Sequence, residues 1–314
     1  MAGKVMRAVQ YDSYGGRAVA LKHVEVPVPT PKRDEVLVKV EATSINPIDW
    51  KIQKGMLRPL LPTKFPLIPK VGSNVKSFNA GDKVVDMLNV LNGGGLAEYV
   101  VANESLTVPR PAEVSAAEGA GLTALQALIN PAEVKLDGTG PRKSILASYG
   151  CLGWYGSLCC SIGADDVLDY KTPEGAALKS PSGQKYDAVI HCTTGIPWST
   201  FEPNLSSSGK VIDITPGVSA MWTFAIKKLT FSKKQFVPLH LIPKKENLEL
   251  IVGLLKEGKL KTVIDSKFPL SKAEDAWSKS SDGHATGHLP CMLVQFVIWL
   301  FPSIMSFDFV FFAF

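Results

Sequence analysis

Residues able to do chemistry gather at the ends of short apolar runs. Ser144-Ile145-Leu146-Ala147-Ser148 leads into Tyr149-Gly150-Cys151-Leu152-Gly153-Trp154-Tyr155-Gly156. Glycines three apart let backbone N–H groups approach a phosphate, and a helix starting behind them adds a favourable dipole. Alone, this spacing serves helix packing or a turn equally well. Its weight comes from the strand-like run before it and the helix-compatible stretch 157–162 after it. Gly195 follows Val189-Ile190-His191-Cys192, and Pro216-Gly217 follows the run 211–215, which gives two more backbone openings where an apolar run meets a loop. Cys192, beside Thr193, is a thiol at such an end. No His and acid can be assigned to it, so a structural thiol is the plainer reading.

A second group lies in SINPIDWKIQKG, residues 44–55, which holds Asn46, Asp49 and Lys51. Pro47 disfavours helical backbone at Asn46, so that amide is presented from a constrained loop, although a solvated turn would have the same local sequence. The five histidines form no HExxH. His284 and His288 are spaced for one helical face, but Gly287 intervenes and no third ligand is evident, so no metal site is expected. There is no GxSxG elbow to support serine hydrolysis.

These groups need a scaffold, and the composition supplies one. The chain has 314 residues, 46% hydrophobic and 20% charged, which is the make-up of a packed protein and excludes a disordered one. That length favours two cores over one. A net charge of +5, with no basic run interleaved with aromatics, argues against nucleic acid as a partner. Five cysteines without a CxxC pair indicate neither a disulfide framework nor a zinc lobe. The start MAGKVMRAVQYD enters a strand pattern at once, with no signal-peptide core or transit-like stretch.

From residue 4 to about 127 the pattern is β-rich: VMRAVQY, LKHVEVPVP, EVLVKVEATSI, GDKVVDML and GLAEYVVAN are separated by turn residues and suggest a small barrel or sandwich. AAEGAGLTALQALI, 116–129, has apolar residues at helical intervals. Beyond it strands alternate with helices. The runs 144–148, 186–192 and 210–215 suit central parallel strands. Residues 246–257 put Leu248, Ile251, Val252 and Leu255 on one helical face, with Gly258 to end the helix. A strand at 261–265 and a helix at 271–280, with Leu270, Ala273 and Trp277 inward, follow. This is the α/β pattern of a doubly wound parallel sheet. Ligands bind such sheets at the carboxyl ends of the strands, where the loops above lie.

SINPIDWKIQKG, VGSNVKSFNAGDKVV, GGLAEYVVA, GLTALQAL, GADDVLDYKTPEG and SKAEDAWSKSSDGHATG resemble, in that order, the medium-chain dehydrogenase/reductase superfamily. The similarity is greatest to its zinc-free quinone oxidoreductase branch, and there to plant chloroplast-envelope members. It covers nearly everything from residue 1 to about 287. The resemblance implies a GroES-like domain over 1–127 and a Rossmann-like domain over 128–288, with a cleft between them, leaving 289–314 as a separate tail. It implies NADP(H)-dependent, or NAD(H)-dependent, two-electron reduction of quinones or α,β-unsaturated carbonyls without a metal. It places Asn46 near the nicotinamide and Thr123 near its phosphate or ribose. It puts Gly150, Gly153 and Gly156 in the glycine loop, Tyr170 beside the adenosine, and Cys192, Thr193, Pro216 and Gly217 along the dinucleotide groove. It also puts Trp50 and Lys51 at the substrate mouth, with Asn46 and Lys51 nearest the reacting atoms. A chloroplast-envelope location, reached without a cleavable presequence, follows from the same resemblance, with the cytoplasm as the alternative.

The sequence departs from that pattern in three places. Pro69-Lys70 joins directly to Val71-Gly72, so about one barrel strand is missing. The 26 residues from Ile145 to Tyr170 cannot hold the strand, loop, helix, strand and helix of a full nucleotide-binding half, which needs on the order of 45–50. The Rossmann-like half is therefore truncated by one strand and one helix. In 289–314, 20 of 26 residues are apolar and 7 of the chain's 14 phenylalanines occur, which reads as a segment outside the main packing problem. Pro302 and Asp308 interrupt it before a clean membrane span accumulates. A peripheral or tail-mediated membrane association, a homodimer, and a catalytically impaired or non-enzymatic variant all stay open from these departures.

Overall fold

The computed structural model describes residues 4–56, 58, 78–88, 94–118, 121–149, 165–169, 171–193, 195–262, 264, 266–282, 290–291, 298–300 and 307–313. In chain order the strands are β1 (Val5–Gln10), β2 (Lys22–Pro27), β3 (Glu35–Lys39), β4 (Thr43–Ser44), β5 (Val84–Asp86), β6 (Tyr99–Asn103), β7 (Thr107–Pro109) and β8 (Lys143–Tyr149). They continue as β9 (Asp166–Asp169), β10 (Tyr186–His191), β11 (Leu205–Asp213), β12 (Gln235–Pro238), β13 (Leu260–Thr262), β14 (Pro290–Cys291), β15 (Ile298–Leu300) and β16 (Phe307–Ala313). Among the described residues, the helices longer than a single turn are α1 (Pro47–Gln53), α2 (Leu122–Ile129), α3 (Val218–Leu229), α4 (Lys245–Lys256) and α5 (Ala273–Ser281).

The chain forms two compact units, one of Met1–Gly121 with Pro243–Ile298 and one of Leu122–Ile242 with Trp299–Phe314. Neither unit is contiguous. This differs from the division 1–127, 128–288 and 289–314, because α4 and α5 cluster with the N-terminal strands and the last residues cluster with the parallel sheet.

The first unit is built of antiparallel pairs: β1 with β2, β3 with β6, β5 with β7, and β4 with β14. The returning helices close its core. Ala273, Ala276 and Trp277 of α5 pack with Val9, Tyr11, Ala18 and Ile45. The Trp277 indole N–H donates to Gln53 Oε1 at 3.1 Å, and Gln53 Nε2 donates to the Arg17 carbonyl at 2.8 Å, so this buried polar pair is satisfied. Leu248 and Val252 of α4 pack on Val85 and Val108. The buried face of α4 includes Leu248, Ile251, Val252 and Leu255, as its periodicity predicts, and Gly258 follows at φ 68. The expected loss of a strand near residues 69–71 lies outside the described residues.

The second unit holds a six-stranded sheet in the order β12-β11-β10-β8-β16-β9, with every pairing parallel. Both faces are covered, as near-continuous Val/Ile/Leu strands require. Successive residues alternate between faces. Ile145, Ala188, Ile190 and Ile212 meet Ala127, Leu128, Ala132 and Val134 on one side, whereas Leu146, Val189 and Val211 meet Leu178, Tyr186, Phe201 and Phe236 on the other.

The tail does not stand apart from this packing. β16 runs between β8 and β9, with Phe307↔Lys143 through Ala313↔Tyr149 in register on one side and Val310↔Asp166 through Ala313↔Asp169 on the other. The stretch from Ile145 to Tyr170 is too short to contain a strand between β8 and β9, and that position is filled from the far end of the chain. FDFVFFA has six apolar residues of seven. The glycine segment 150–156 and the helix expected at 157–162 lie outside the described residues. No helix among the described residues is long and apolar enough to cross a membrane.

Phe201 is fully buried in the core on one face of this sheet. Phe201→Ala should lower the unfolding free energy by about 3–5 kcal/mol, read as a shift of the urea midpoint at unchanged m-value.

Candidate functional site

The strand order reverses at β8. From there the chain builds outward to β9 on one side and through β10, β11 and β12 on the other, so the topological switch point is at the carboxyl ends of β8 and β10. Three polar residues end these strands in lateral register: Ser148 on β8 pairs with His191 on β10, and His191 pairs with Asp213 on β11. All three are buried. Ser148 Oγ is 3.0 Å from His191 Nδ1, and Thr193 Oγ1 is 3.4 Å from the same nitrogen. The imidazole meets the Phe201 ring edge-on at 5.0 Å. Burial pushes His191 down to about 4, so the ring is neutral at physiological pH. A fully buried hydroxyl beside a neutral, buried imidazole is no exposed nucleophile. The row is a fixed set of hydrogen-bonding groups beneath the sheet edge.

Backbone bonds lock the loops above it. Cys192 N donates to the Ser148 carbonyl at 3.1 Å, and Ile214 N to the His191 carbonyl at 3.1 Å. Thr215 N donates to Asp213 Oδ1 at 2.8 Å, and Thr215 Oγ1 to the Thr193 carbonyl at 3.1 Å. Gly195, at φ 91, and Gly217, the N-cap of α3, both have open space where a Cβ would point. Backbone can be approached closely at both places.

Of the residues expected here, Cys192 and Thr193 are half-buried at the end of β10, and Pro216 and Gly217 are exposed between β11 and α3. The structure brings these four to one sheet edge. The Cys192 thiol is 3.8 Å from the Ile190 carbonyl and packs beside Ile190 and Ile212. Thr123 is half-buried in the first turn of α2 in the same unit. Gly150, Gly153, Gly156 and Tyr170 lie outside the described residues. Ser148, His191, Asp213 and Thr215 were not singled out from sequence. The available signal was that three apolar runs each close on a polar residue.

In the first unit, Asn46 is the N-cap of α1 in extended conformation, φ −106 and ψ 157, as the following proline dictates. Its Nδ2 donates to Ser44 Oγ at 3.1 Å, and its backbone N–H donates to Asp49 Oδ2 at 2.5 Å. Desolvation raises Asp49 to about 7, against the lowering effect of that hydrogen bond. Trp50 packs against the Val9, Tyr11 and Ile45 core, and its indole N–H is buried without a partner. The ammonium groups of Lys54 and Lys51 lie 4.5 and 5.6 Å from the Trp50 ring centroid. Asn46, Trp50 and Lys51 thus share one short helix start. Asp86 on β5 is a second buried carboxyl raised by desolvation to about 7, and its Oδ1 has no partner.

The fold and switch point are those of a two-unit nicotinamide-type dehydrogenase or reductase. The family model of the alcohol dehydrogenase GroES-like domain matches residues 32–112, and that of the zinc-binding dehydrogenase matches 162–289. The chain is 64% identical to the Arabidopsis thaliana chloroplast envelope quinone oxidoreductase homolog, over 92% of this chain and 99% of that protein. It is 28% identical to the NADPH-dependent alkenal/one oxidoreductase of A. thaliana chloroplasts, over 90% of this chain and 78% of that one. The solved quinone oxidoreductase of Coxiella burnetii superposes with a TM-score of 0.76 at 26% identity, covering 91% of this chain and 99% of that one. The chain belongs to the medium-chain dehydrogenase/reductase superfamily, as its ordered motifs predict.

Two titrations with opposite signs follow. Unfolded, His191 takes up a proton near 6.5, but folded it does so only near 4, so its contribution to stability is lost as pH falls through that window. Asp49 releases its proton near 3.8 unfolded and near 7 folded, so its contribution is lost as pH rises. Thermal melts of His191→Asn and Asp49→Asn against the parent should separate them. The His191 variant should gain relative stability toward pH 4, and the Asp49 variant toward pH 7, each by on the order of a few kcal/mol.

Proposed function

We propose that this chain is an NADPH-dependent oxidoreductase that reduces quinones or α,β-unsaturated carbonyls by hydride transfer. The observation that carries the reading is the switch point itself: neutral hydroxyl and imidazole groups under two glycine openings, at the carboxyl ends of adjacent parallel strands. That donor set fits a dinucleotide. Thr193 and Thr215 offer hydroxyls for ribose or phosphate, and Gly195 and Gly217 admit close backbone approach. The names of the relatives at 64% and 28% identity support the substrate classes, and the latter's name supports NADPH as the coenzyme.

When bound, the nicotinamide supplies a hydride to an electrophilic carbon of the acceptor. The chain's own part is to orient and to exclude water. Cys192, Thr193, Pro216 and Gly217 would border the dinucleotide, joined by Gly150, Gly153, Gly156, Tyr170 and Thr123. Ser148 and His191 form the floor that fixes the end of β10. Asn46 would hold the nicotinamide end, and Lys51 would place its ammonium where negative charge develops on the acceptor oxygen, with Trp50 anchoring the helix start. The reading is of a metal-independent enzyme. Hydride transfer to these acceptors needs polarisation of one oxygen, which an ammonium can provide.

The name of the 64% relative supports a plastid location, at the envelope. One surface supports peripheral attachment there. Met221, Trp222, Ile226 and Leu229 of α3 and Phe231 beyond it are exposed, next to Lys228 and Lys233. Apolar side chains flanked by lysines suit an anionic lipid surface. Trp222→Ser with Phe231→Ser should reduce sedimentation with anionic vesicles severalfold, whereas unchanged sedimentation would remove this surface from consideration.

The activity test is direct. Purified protein should consume NADPH, followed by its absorbance, when given a quinone or an alkenone. NADPH at about 100 Kd should add about 2.7 kcal/mol of stability. Lys51→Met should lower kcat/KM by about tenfold or more, with the melting temperature little changed. Neither turnover nor a thermal shift with NADPH would overturn the reading.

A further inference from the structure

Asn46 and Asp49 hold each other at the start of α1. The Asn46 N–H donates to Asp49 Oδ2 at 2.5 Å, and the Asp49 N–H donates to the Asn46 carbonyl at 2.9 Å. Both bonds use the main chain of Asn46 and leave its carboxamide outside the ring they close. The carboxamide is steered separately, by its Nδ2 bond to Ser44 Oγ at 3.1 Å. Pro47 keeps Asn46 extended, so the peptide that carries the bonded N–H also sets the direction in which the side chain leaves.

The acid in this ring is costly to keep. A carboxylate in the first turn of a helix ordinarily caps it from the water side, where its charge is solvated and favoured by the helix dipole. Asp49 is desolvated, which raises it to about 7, while the Asn46 N–H pulls the other way. Tyr11, just beyond β1, faces it and is itself pushed up to about 12, by burial first and then by the Asp49 charge and Tyr14. Lys51 and Lys54 of the same helix sit at the Trp50 ring, and Arg58 at the Tyr14 ring. Arg17, in the turn beside α1, gives its carbonyl to Gln53. On α5, which packs against α1 through the Trp277–Gln53 bond, Glu274 pairs with His23, Asp275 with Lys272 and Lys279 with Ser266. A fold that needed only a capped helix could use a solvated acid here. A desolvated one beside the residue assigned to the nicotinamide end gives up stability where position matters.

We propose that Asp49 is a positioning residue for the reduction, holding the Asn46 peptide, and so its carboxamide, at the coenzyme end of the site. The proposal rests on the redox reading, because that reading gives Asn46 a ligand to meet. An N–H bond to a carboxylate is roughly twice as strong as one to a neutral acid. Deprotonating Asp49 therefore tightens the hold on Asn46 while it lowers the stability of the fold. Activity and stability should move in opposite directions as pH rises through 7, which a purely structural acid would not produce. His191, near 4, and Tyr11, near 12, keep one protonation state over that range.

The test is the pH profile of kcat for the purified full chain at saturating NADPH and methyl vinyl ketone, at a temperature where every variant is folded. Asp49→Asn keeps an acceptor oxygen and cannot ionise. Its kcat should match the parent's at pH 6 and fall about threefold to tenfold below it at pH 8, with KM for the ketone little changed. In an Asn46→Ala background the same substitution should have almost no effect at pH 8, because a residue acting through Asn46 then has nothing to position. A parent-to-variant ratio that is flat between pH 6 and pH 8 would overturn the proposal, as would an equal loss in both backgrounds. A parent chain that neither binds nor oxidises NADPH would overturn the redox reading, and this role with it.

Discussion

A strand inside a parallel sheet must satisfy its backbone groups on both edges, and β8 meets this requirement through β10 on one side and β16 on the other. Much of the second unit depends on that pairing. β8 carries Ile145 and Leu146 into opposite faces of the core and, one residue before its end, Ser148, which holds His191. Among the described residues, β9 is joined to the rest of the sheet through β16. The same pairing explains how a nucleotide-binding half too short in sequence can still present a complete sheet edge: the missing strand is contributed by residues far along the chain.

The switch point inherits its chemistry from this arrangement. Because β8, β10 and β11 end at one level, their last polar residues form a row, and the row is buried because helices and loops cover both faces. Burial keeps His191 neutral, so it holds Ser148 and Thr193 in place without adding charge near an anionic ligand. In the first unit, desolvation acts on Asp49 instead. It moves the titration of that carboxyl up to about 7 while the Asn46 N–H fixes its position, so the start of α1 is held by a hydrogen bond to a group that changes charge near neutral pH.

Local pattern made some elements legible and others not. The period of Leu248, Ile251, Val252 and Leu255 marked α4, and Val/Ile-rich runs marked β10 and the end of β11. The groove residues Cys192, Thr193, Pro216 and Gly217 were legible because each follows such a run, and strand ends are where parallel sheets bind ligands. α3 was not legible, since Met221, Trp222, Ile226 and Leu229 stay exposed and blur its amphipathic period. His191 and Ser148 were missed because each looks like one more residue at the end of its own run, and their contact exists through the lateral register of two strands. β16 was missed for the same reason on a larger scale. Its apolar sequence fits a buried parallel strand, but nothing local tells which distant edges will pair with it. The return of α4 and α5 to the N-terminal strands is likewise a non-local fact.

Native-state hydrogen exchange resolved to single amides tests the central pairing most directly, because strand amides bonded within a cooperative core open only with that core. Amides of 307–313 should exchange as slowly as those of β8 and β10, and should lose protection together with them as denaturant is added. Exchange of 307–313 at the rate of an unstructured peptide, while β10 and β11 remain protected, would contradict it.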